Sequence, residues 1–581
     1  MRCVRSMSVL LPKLVVTGLL PDTKKAPYGG FFCVFVLLLL TQAVLATEKP
    51  PAAAIASAHP LATQAGHEIL AAGGNAFDAA VTVSAVLAVV EPYSSGMGGG
   101  GFWLLHRAED GFETMLDGRE RAPLAAHRDL YLDKQGQVVP NLSINGALAA
   151  GIPGQPAALV HLAEKYGQLP LKQTLASAIQ LARKGFPVDD YYRRMVKWRL
   201  DALRQSPSAA SLFLQDGEIP QVGYSIRQPD LANVLALLAK QGRDGFYKGQ
   251  MAQKLVDGVR ANGGIWTLED LAAYQPIERE PVRGKYQGMA ITSAAPPSSG
   301  GVVLLAMLNI LARFDLDTYP SVARKHLMIE AMRRAYRDRA EYLGDPDFVE
   351  MPIEQLIHPL YAAGLARDIS LDNATPSRAP DPKAQMIEGQ DTTHFSVLDR
   401  EGNRVAATLS INYPFGSGFV PAGTGVLLND EMDDFSARPG VPNVYGLIGG
   451  EANAIAPGKR MLSSMSPTFV ETAEGVAIMG TPGGSRIITM LLHGILELQA
   501  GGEPKDWVSK PRFHHQYLPD EVQFEPGALT ADEVAGFTRL GHQLKPLKRG
   551  YGNMQGIYWN RKTKVVSAAS DPRGIGSAVV H

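Results

Sequence analysis

Two neighbouring threonines, Thr392 and Thr393, stand at the head of a strand-like run deep inside this chain. A threonine hydroxyl is a poor nucleophile until a base takes its proton. An N-terminal threonine carries such a base as its own α-amine, whose pKa is about 8, whereas an internal threonine has only an amide nitrogen. The stretch makes chemical sense when the chain is cut between Asp391 and Thr392. It therefore predicts a zymogen that matures into two pieces.

The residues that follow have the pattern of a β-hairpin. Two strand-like runs, 393–398 and 405–411, are rich in threonine, aromatic and branched residues, and the segment 400–403 between them is a turn signal. A tight turn there would set Thr393 opposite Ser410. This register would return the hydroxyl of Ser410 close to the nucleophile, where it could hold the freed amine. Taken alone, the hairpin is more typical of a protein surface than of a catalytic site.

Two further segments carry groups that could stabilise an acyl-transfer reaction. Residues 462–468 place several hydroxyls just before a strand, and residues 479–486 place a Gly-Gly turn at the start of a helix. Consecutive backbone N–H groups at such a turn can stabilise a developing oxyanion. Because a Gly-Gly turn alone is usually only a turn, this role depends on where the fold places it.

Two charged segments could bind the two ends of a free amino acid. Residues 117–121 close a strand with two arginines, which could be solvated charges or could clamp a carboxylate. Residues 429–435 form an acidic cluster, which could be an ordinary loop, a calcium site or the receptor of an ammonium group. A ligand with one carboxylate and one ammonium group would need both kinds of segment.

Two other motifs do not indicate a cofactor or a metal. The glycine run 96–101 fits G-x-G-x-x-G, but an apolar helix precedes it and a strand follows, which reverses the order of a dinucleotide site. Close backbone packing accounts for the run better. His514 and His515 are adjacent, so their side chains diverge, and no nearby carboxylate completes a ligand set.

The composition is that of a globular protein without an affinity for nucleic acid. The chain has 581 residues, of which 45% are hydrophobic and 19% charged, and its net charge is −1. The length allows two or three average domains or one large layered domain. The near-zero net charge gives no basic surface of the kind that nucleic-acid binding requires.

Residues 1–46 have the features of an export signal. Lys24 and Lys25 precede an apolar run that ends in the small-residue cleavage pattern Val-Leu-Ala. The run spans about 16 residues, which is short for a membrane helix, although an uncleaved anchor is the alternative. Both cysteines, Cys3 and Cys33, lie in this leader, so the mature chain would have no disulfide. We expect an exported protein, periplasmic or extracellular, with no stable membrane span after leader removal.

The hydrophobic pattern places strands between groups of helices. A polar, proline-containing segment, 372–390, precedes the expected cleavage site and is typical of an exposed linker. Strands between flanking helices favour sheets sandwiched between helical layers. The pattern predicts helices over 59–72, 76–90, 157–166, 171–184, 187–205, 230–241, 247–262, 268–274, 323–342 and 485–500, and strands over 102–106, 113–116, 393–398, 405–411, 467–471 and 475–480.

Several long motifs, in one order along the chain, resemble the γ-glutamyltranspeptidase (glutathione hydrolase) family. The resemblance runs from about His59 to the C-terminus. It implies an α+β fold class, specifically the four-layer αββα sandwich of N-terminal nucleophile (Ntn) hydrolases. The motifs are GGNAFDAA at 73–80, the glycine run at 96–101, Gly118-Arg119-Glu120, Asp391-Thr392-Thr393-His394, MDDFS at 432–436, KRMLSSMSP at 459–467 and PGGSR at 482–486.

The resemblance also implies roles for individual residues. Self-cleavage at Asp391-Thr392 would give a large subunit of about 47–391 and a small subunit of 392–581. Thr392 would then be the nucleophile, assisted by Ser410, where the family usually has threonine. The remaining implied roles are an oxyanion hole from Gly483 and Gly484, α-carboxylate binding by Arg119, Ser463 and Ser464, α-amine binding by Asn412, Glu431 and Asp434, and a lid loop, 438–446, with Tyr445 over the donor.

The implied reaction is γ-glutamyl transfer. Thr392 would attack the γ-glutamyl amide of glutathione and related donors, and the resulting ester would pass its acyl group to water or to an amino acid or peptide. No cofactor enters this cycle. One alternative is a related acylase for glutaryl or cephalosporin-type side chains, which lack the amine and so would not need the acidic cluster. Another is a non-catalytic exported binding protein of the same fold, which would remain uncut.

Overall fold

The computed structural model describes residues 48–377 and 392–581. The expected leader, Asp391 and most of the expected linker therefore lie outside the described residues. Residues Lys49–His581 form one compact unit. Among the described residues, no helix has the length and apolar character needed to cross a bilayer.

Every segment predicted as helical contains a helix. The predicted helix over 171–184 is two helices broken at Leu175. Several helices were not predicted, among them Gly300–Leu311, which is almost wholly apolar, shows no helical period and has no side-chain cap. In the described parts the α-helices are α1 Pro60–Ala71, α2 Ala76–Val90, α3 Gln155–Lys165, α4 Leu171–Thr174, α5 Ala176–Lys184, α6 Asp190–Gln205, α7 Pro207–Phe213, α8 Pro229–Gln241, α9 Asp244–Tyr247, α10 Gly249–Ala261, α11 Leu268–Ala273, α12 Gly300–Leu311, α13 Ser321–Tyr342, α14 Ile353–Leu356, α15 Pro359–Arg367, α16 Ile487–Gln499, α17 Pro504–Ser509 and α18 Ala531–Leu540.

Among the described residues, thirteen strands form two large antiparallel sheets, and the other five form a three-stranded and a two-stranded sheet. The strands are β1 Ala54–Ser57, β2 Gly100–Arg107, β3 Phe112–Gly118, β4 Phe186–Pro187, β5 Ser225–Ile226, β6 Ile277–Arg279, β7 Val282–Tyr286, β8 Met289–Ser293, β9 Thr393–Leu398, β10 Arg404–Ser410, β11 Thr468–Glu471, β12 Gly475–Gly480, β13 Phe513–His514, β14 Val522–Phe524, β15 Leu544–Pro546, β16 Gln555–Asn560, β17 Val565–Ser570 and β18 Ser577–Val580. The first sheet has the order β18-β1-β9-β10-β2-β3-β6, and the second has the order β17-β16-β12-β11-β8-β7.

The two sheets pack face to face between helical layers. Strands β9 and β10 contact β12 and β16 of the other sheet, while α2 covers their outer face and α12, α16 and α17 cover the second sheet. Alternation along β9 sets this arrangement, since Phe395 and Val397 join the core under α2 and Leu398 joins the core between the sheets. The αββα sandwich is therefore present, as the resemblance implied.

Helix α2 supports the central strands from outside. Asn75 caps its first turn and forms a capping box with Asp78, and every residue of the helix is buried. The carboxylate of Asp399, at the end of β9, also accepts from the N–H of Ala76 at 2.9 Å. The central hairpin is thereby tied to the start of a wholly buried helix.

The expected register of the central hairpin is wrong by one residue. Thr393 pairs with Leu409, not with Ser410. The connection is longer than a two-residue turn because the Asp399 carboxylate accepts from the N–H groups of Glu401 (3.0 Å) and Asn403 (2.9 Å). A one-residue slip exchanges the faces of a strand. It turns Thr392, and not Thr393, toward Ser410.

Candidate active site

One pocket collects almost all of the residues that the sequence singled out. It encloses about 290 Å³, part of it open to solvent. Of the predicted site residues, Gly483 is not part of the lining although its neighbour Gly484 is, and Asp391 lies outside the described residues. The lining consists of Arg119, Thr392, Ser410, Asn412, Glu431, Asp434, Tyr445, Ser463, Ser464 and Gly484, together with Leu447, Met465, Ser485 and Ile487.

Thr392 lies at the head of β9 with its hydroxyl 3.1 Å from that of Ser410. The Ser410 oxygen accepts from the N–H of Asn412 at 2.8 Å, so its own proton can point toward Thr392. Thr392 has a φ of 83°, a region that a β-branched residue rarely adopts. The nucleophile candidate is therefore both hydrogen-bonded and held in a strained backbone conformation.

Thr393 faces away from this pocket. Its hydroxyl donates to the carboxylate of Glu91 at 2.7 Å, and both groups are buried. Burial raises the pKa of Glu91 to about 7, and the Thr393 hydrogen bond partly offsets this rise. Thr393 thus has a structural partner, which distinguishes the two neighbouring threonines.

His394 sets the spacing between the nucleophile strand and the second sheet. Its ring is fully buried, bonds to the Thr408 hydroxyl at 2.8 Å, and lies so close to Gly480 that a Cβ there would fall 2.1 Å from the ring. Burial lowers the pKa of His394 to about 3, so the imidazole is neutral. Gly480 ends β12 and leads directly into the Gly-Gly turn, so this contact fixes the turn relative to Thr392.

The Gly-Gly turn follows β12 at one side of the pocket. Gly483 has a φ of 136° and Gly484 a φ of 57°, and both values favour glycine. A side chain on Gly484 would collide with the ring of Tyr445, whose nearest atom would lie 2.7 Å from the new Cβ. The turn can therefore bring backbone N–H groups to the pocket, which is the arrangement that an oxyanion hole needs.

Arg119 is fully buried and joins the two acids that were expected to bind an ammonium group. Its guanidinium donates to Glu431 and, at 2.5 Å, to Asp434. Although burial opposes it, the charges of Glu431 and Asp434 raise the pKa of Arg119. Burial raises the pKa of Glu431 to about 7, against the opposing effect of Arg119. In the unliganded pocket, the expected carboxylate receptor and the expected ammonium receptor neutralise each other.

Asn412 completes the side of the pocket expected to receive an amine. Its amide nitrogen donates to the carbonyl of Asp430 at 3.0 Å. This leaves its side-chain oxygen as an acceptor beside Glu431 and Asp434, which line the same pocket. Three oxygen-bearing side chains are thus grouped where an ammonium ion could donate to each of them.

Two loops bring Ser463, Ser464 and Tyr445 to the pocket. Ser463 is held at its backbone, where its N–H donates to Pro297 at 2.8 Å. The loop after the acidic cluster is tied down where Asp433 accepts from the N–H of Val444 at 2.8 Å. The Tyr445 hydroxyl then donates to the carbonyl of Asn412 at 3.0 Å. Tyr445 therefore lines the pocket between Asn412 and Gly484.

Two buried ionisable residues beside the pocket were not assigned roles from the sequence. Glu120 is fully buried 3.8 Å from Arg119, and neither of its oxygens has a hydrogen-bond partner among the described residues. Burial raises the pKa of Glu120 well above its usual range. Arg339, on α13, donates to the hydroxyl of Ser464 at 3.2 Å. For each of them, the available signal was a charged residue in a segment whose other residues are mostly buried.

The fold and this site define an Ntn hydrolase, because a threonine heads a central strand of an αββα sandwich beside a Gly-Gly turn. A sequence model of the gamma-glutamyltranspeptidase family matches residues 62–581. The glutathione hydrolase proenzyme of Escherichia coli (strain K12) is 43% identical over 90% of each chain. The cephalosporin acylase of Bacillus halodurans is similar in structure, with a TM-score of 0.79 and 29% identity over 92% of this chain and 96% of the acylase. The Helicobacter pylori gamma-glutamyltranspeptidase is 41% identical with a TM-score of 0.54, and the match covers 58% of this chain and 97% of that one.

This chain therefore belongs to the gamma-glutamyltranspeptidase family of enzymes.

Proposed function

We propose that this protein is a self-processing γ-glutamyltransferase and glutathione hydrolase. The observation that carries the proposal is the pairing of Arg119 with Glu431 and Asp434 beside the Thr392 hydroxyl. A γ-glutamyl donor presents one carboxylate and one ammonium group at its free end, and this pocket offers a partner for each. Related donors and acceptors, including amino acids and dipeptides, belong to the same proposal.

The proposal includes cleavage between Asp391 and Thr392. The products would be a large subunit of about 47–391 and a small subunit of 392–581, held together by the shared sandwich. A positive φ at a threonine costs on the order of 1–3 kcal/mol, which cutting the peptide bond would release. Attack by the Thr392 hydroxyl on the preceding carbonyl, followed by hydrolysis of the ester, would free the α-amine that activates the same hydroxyl.

In the proposed cycle the mature Thr392 attacks the γ-carbonyl carbon of the donor. The hydroxyl proton passes to the α-amine of Thr392 and then to the leaving amine. The developing oxyanion would be stabilised by N–H groups of Gly483 and Gly484. Water or an acceptor amine then attacks the γ-glutamyl ester, which gives glutamate or a new γ-glutamyl compound.

The leader supports an exported location, periplasmic or extracellular. Glutathione-type donors outside the cytoplasm would then be the substrates that the enzyme meets.

An assay with L-γ-glutamyl-4-nitroanilide and its glutaryl analogue tests the proposed function. We expect turnover of the γ-glutamyl compound and at least about tenfold lower kcat/KM for the glutaryl compound, because the latter lacks the amine. A preference for the glutaryl anilide would instead identify an acylase.

The ionisation of Glu431 should appear in the pH dependence of donor binding. Because burial raises the pKa of Glu431 to about 7, the group is protonated below that pH and cannot pair with an ammonium ion. We expect kcat/KM for the γ-glutamyl anilide to rise with pH through about 7 because of Glu431 and further through about 8 because of the Thr392 α-amine. Glu431→Gln should lose the rise near 7 and keep the rise near 8. The glutaryl anilide serves as the control, since it carries no amine. An unchanged profile in Glu431→Gln would contradict the role assigned to Glu431.

The lid loop is proposed to cover the donor and to limit the access of water. Tyr445 packs on Gly484 and bonds to Asn412, while Asn443 donates to Asp434 at 3.0 Å. We expect deletion of residues 438–450 to raise KM for the donor and to shift the partition of the acyl-enzyme between hydrolysis and transfer. The measurement is product analysis with and without an acceptor dipeptide. If donor affinity and this partition stay unchanged, the loop is not a lid.

A further inference from the structure

Arg339 is a buried cation whose hydrogen-bond partners are neutral. It lies on α13, is 5% exposed, and donates to the hydroxyls of Ser299 at 2.9 Å and Ser464 at 3.2 Å. No carboxylate of the described residues lies within ion-pair distance of its guanidinium. Burial lowers the pKa of Arg339 and outweighs the opposing effects of Tyr336 and Asp434.

Burying an arginine without an anion is destabilising, because no ion pair offsets the free energy of desolvating its charge. Asp434 cannot fully offset this desolvation free energy, since its carboxylate already accepts hydrogen bonds from Arg119 and from Asn443. The neighbourhood of Arg339 therefore lacks one negative charge. A ligand carboxylate in the adjoining pocket would supply it.

Ser464 connects Arg339 to the pocket. It lines the pocket, and its hydroxyl oxygen accepts from Arg339, so its own proton is free to donate toward a ligand. Ser299 transmits a second constraint, because it accepts from Arg339 and donates to the carbonyl of Ser463 at 2.7 Å. Both serines expected to bind the carboxylate are thus held by a single guanidinium.

We propose that Arg339 is a positioning residue that makes the pocket select donors with a free α-carboxylate, acting through Ser464 and Ser299. This inference rests on the proposed function. Arg119 is already paired with two acids, so it does not by itself compensate the charge of a donor carboxylate. Arg339 supplies the positive charge that remains uncompensated until the donor binds.

The test compares three anilide substrates with the purified wild type and Arg339→Met. The γ-glutamyl compound has both end groups, the glutaryl compound keeps only the carboxylate, and the 4-aminobutyryl compound keeps only the amine. We expect Arg339→Met to lower kcat/KM by about tenfold or more for the two carboxylate-bearing substrates, through KM. The effect on the 4-aminobutyryl compound should be less than about twofold.

Two further variants keep the test decisive. Arg339→Lys keeps the charge and should restore part of the affinity for carboxylate-bearing substrates. Ser464→Ala should reproduce the substrate pattern of Arg339→Met, because it removes the connection between the guanidinium and the pocket. Arg337→Met is the matched control, since Arg337 lies on the same helix with a 41% exposed side chain paired to Asp338.

Stability provides a second readout. Removing an unpaired buried charge should leave the Tm of unliganded Arg339→Met equal to or above that of the wild type, while the rise in Tm on adding L-glutamate should be lost. Equal losses of kcat/KM for all three substrates, with a lower Tm, would show a purely structural arginine and overturn the inference. If the wild type turns over none of the anilides, the proposed function fails, and the L-glutamate shift still decides the role of Arg339.

Discussion

Thr392→Ala should yield a single uncut chain without measurable turnover. The substitution removes the hydroxyl that lies 3.1 Å from Ser410, and with it the group proposed both to cut the chain and to attack the donor. Loss of a covalent nucleophile lowers rates by at least about 10⁴-fold. Intact-mass spectrometry of the purified protein, followed by the γ-glutamyl anilide assay, measures both effects.

The neighbouring residues provide the controls for this result. Thr392→Ser keeps a hydroxyl and an α-amine, so it should still mature and turn over donor. Thr393→Val should also mature, with a stability loss of about 1–3 kcal/mol, because Thr393 donates to buried Glu91 and not to the pocket. A Thr392→Ala protein that is cut and active would show that another residue is the nucleophile. A wild type that stays uncut would point to a non-catalytic relative.

Arg119→Gln should lower kcat/KM for the γ-glutamyl anilide by about 100- to 1000-fold, mainly through KM. The variant loses the charge that pairs with Glu431 and Asp434 and that would clamp the donor carboxylate. Breaking a buried ion pair from one side also costs about 3–5 kcal/mol of folding stability. Steady-state kinetics and thermal unfolding separate the two losses.

The stability loss in Arg119→Gln should depend on pH in a defined direction. Without the arginine, the buried carboxyls of Glu120 and Glu431 keep pKa values raised by burial. A carboxyl group whose pKa is higher in the folded than in the unfolded state stabilises the fold while it is protonated. The free energy of unfolding of the variant therefore falls as pH rises. The fall in Tm should be smaller at about pH 5 than at about pH 8.

Arg107→Gln is the matched control for Arg119→Gln. Arg107 ends β2 and pairs with Asp110 in an exposed turn at 2.7 Å. This variant should leave KM unchanged, since exposed ion pairs contribute little. If Arg119→Gln changed KM no more than Arg107→Gln, Arg119 would have no part in donor binding.

The local sequence pattern was sufficient to predict those helices and strands whose evidence lies in neighbouring residues. The strand over 393–398 and the helix over 76–90 were predicted with correct bounds, because alternation and an N-terminal capping box are properties of neighbouring residues. The sequence also predicted Thr392 as the nucleophile, because the chemistry of a threonine freed by cleavage can be argued from residue types alone. Helix α12 was missed, since its nearly uniform burial removes the helical periodicity and it lacks the side-chain cap that marks the start of helix 76–90.

Tertiary structure decided the pairings that join distant parts of the chain. The side chain of Asp399 lengthened the connection between β9 and β10, and this changed which threonine faces Ser410. The burial of Glu120 and the contact of Arg339 with Ser464, 125 residues further along the chain, follow from how the sheets and helices pack. Composition and spacing identify groups that can do chemistry, but the free energy of a buried charge depends on its neighbours in space, and only the fold determines those.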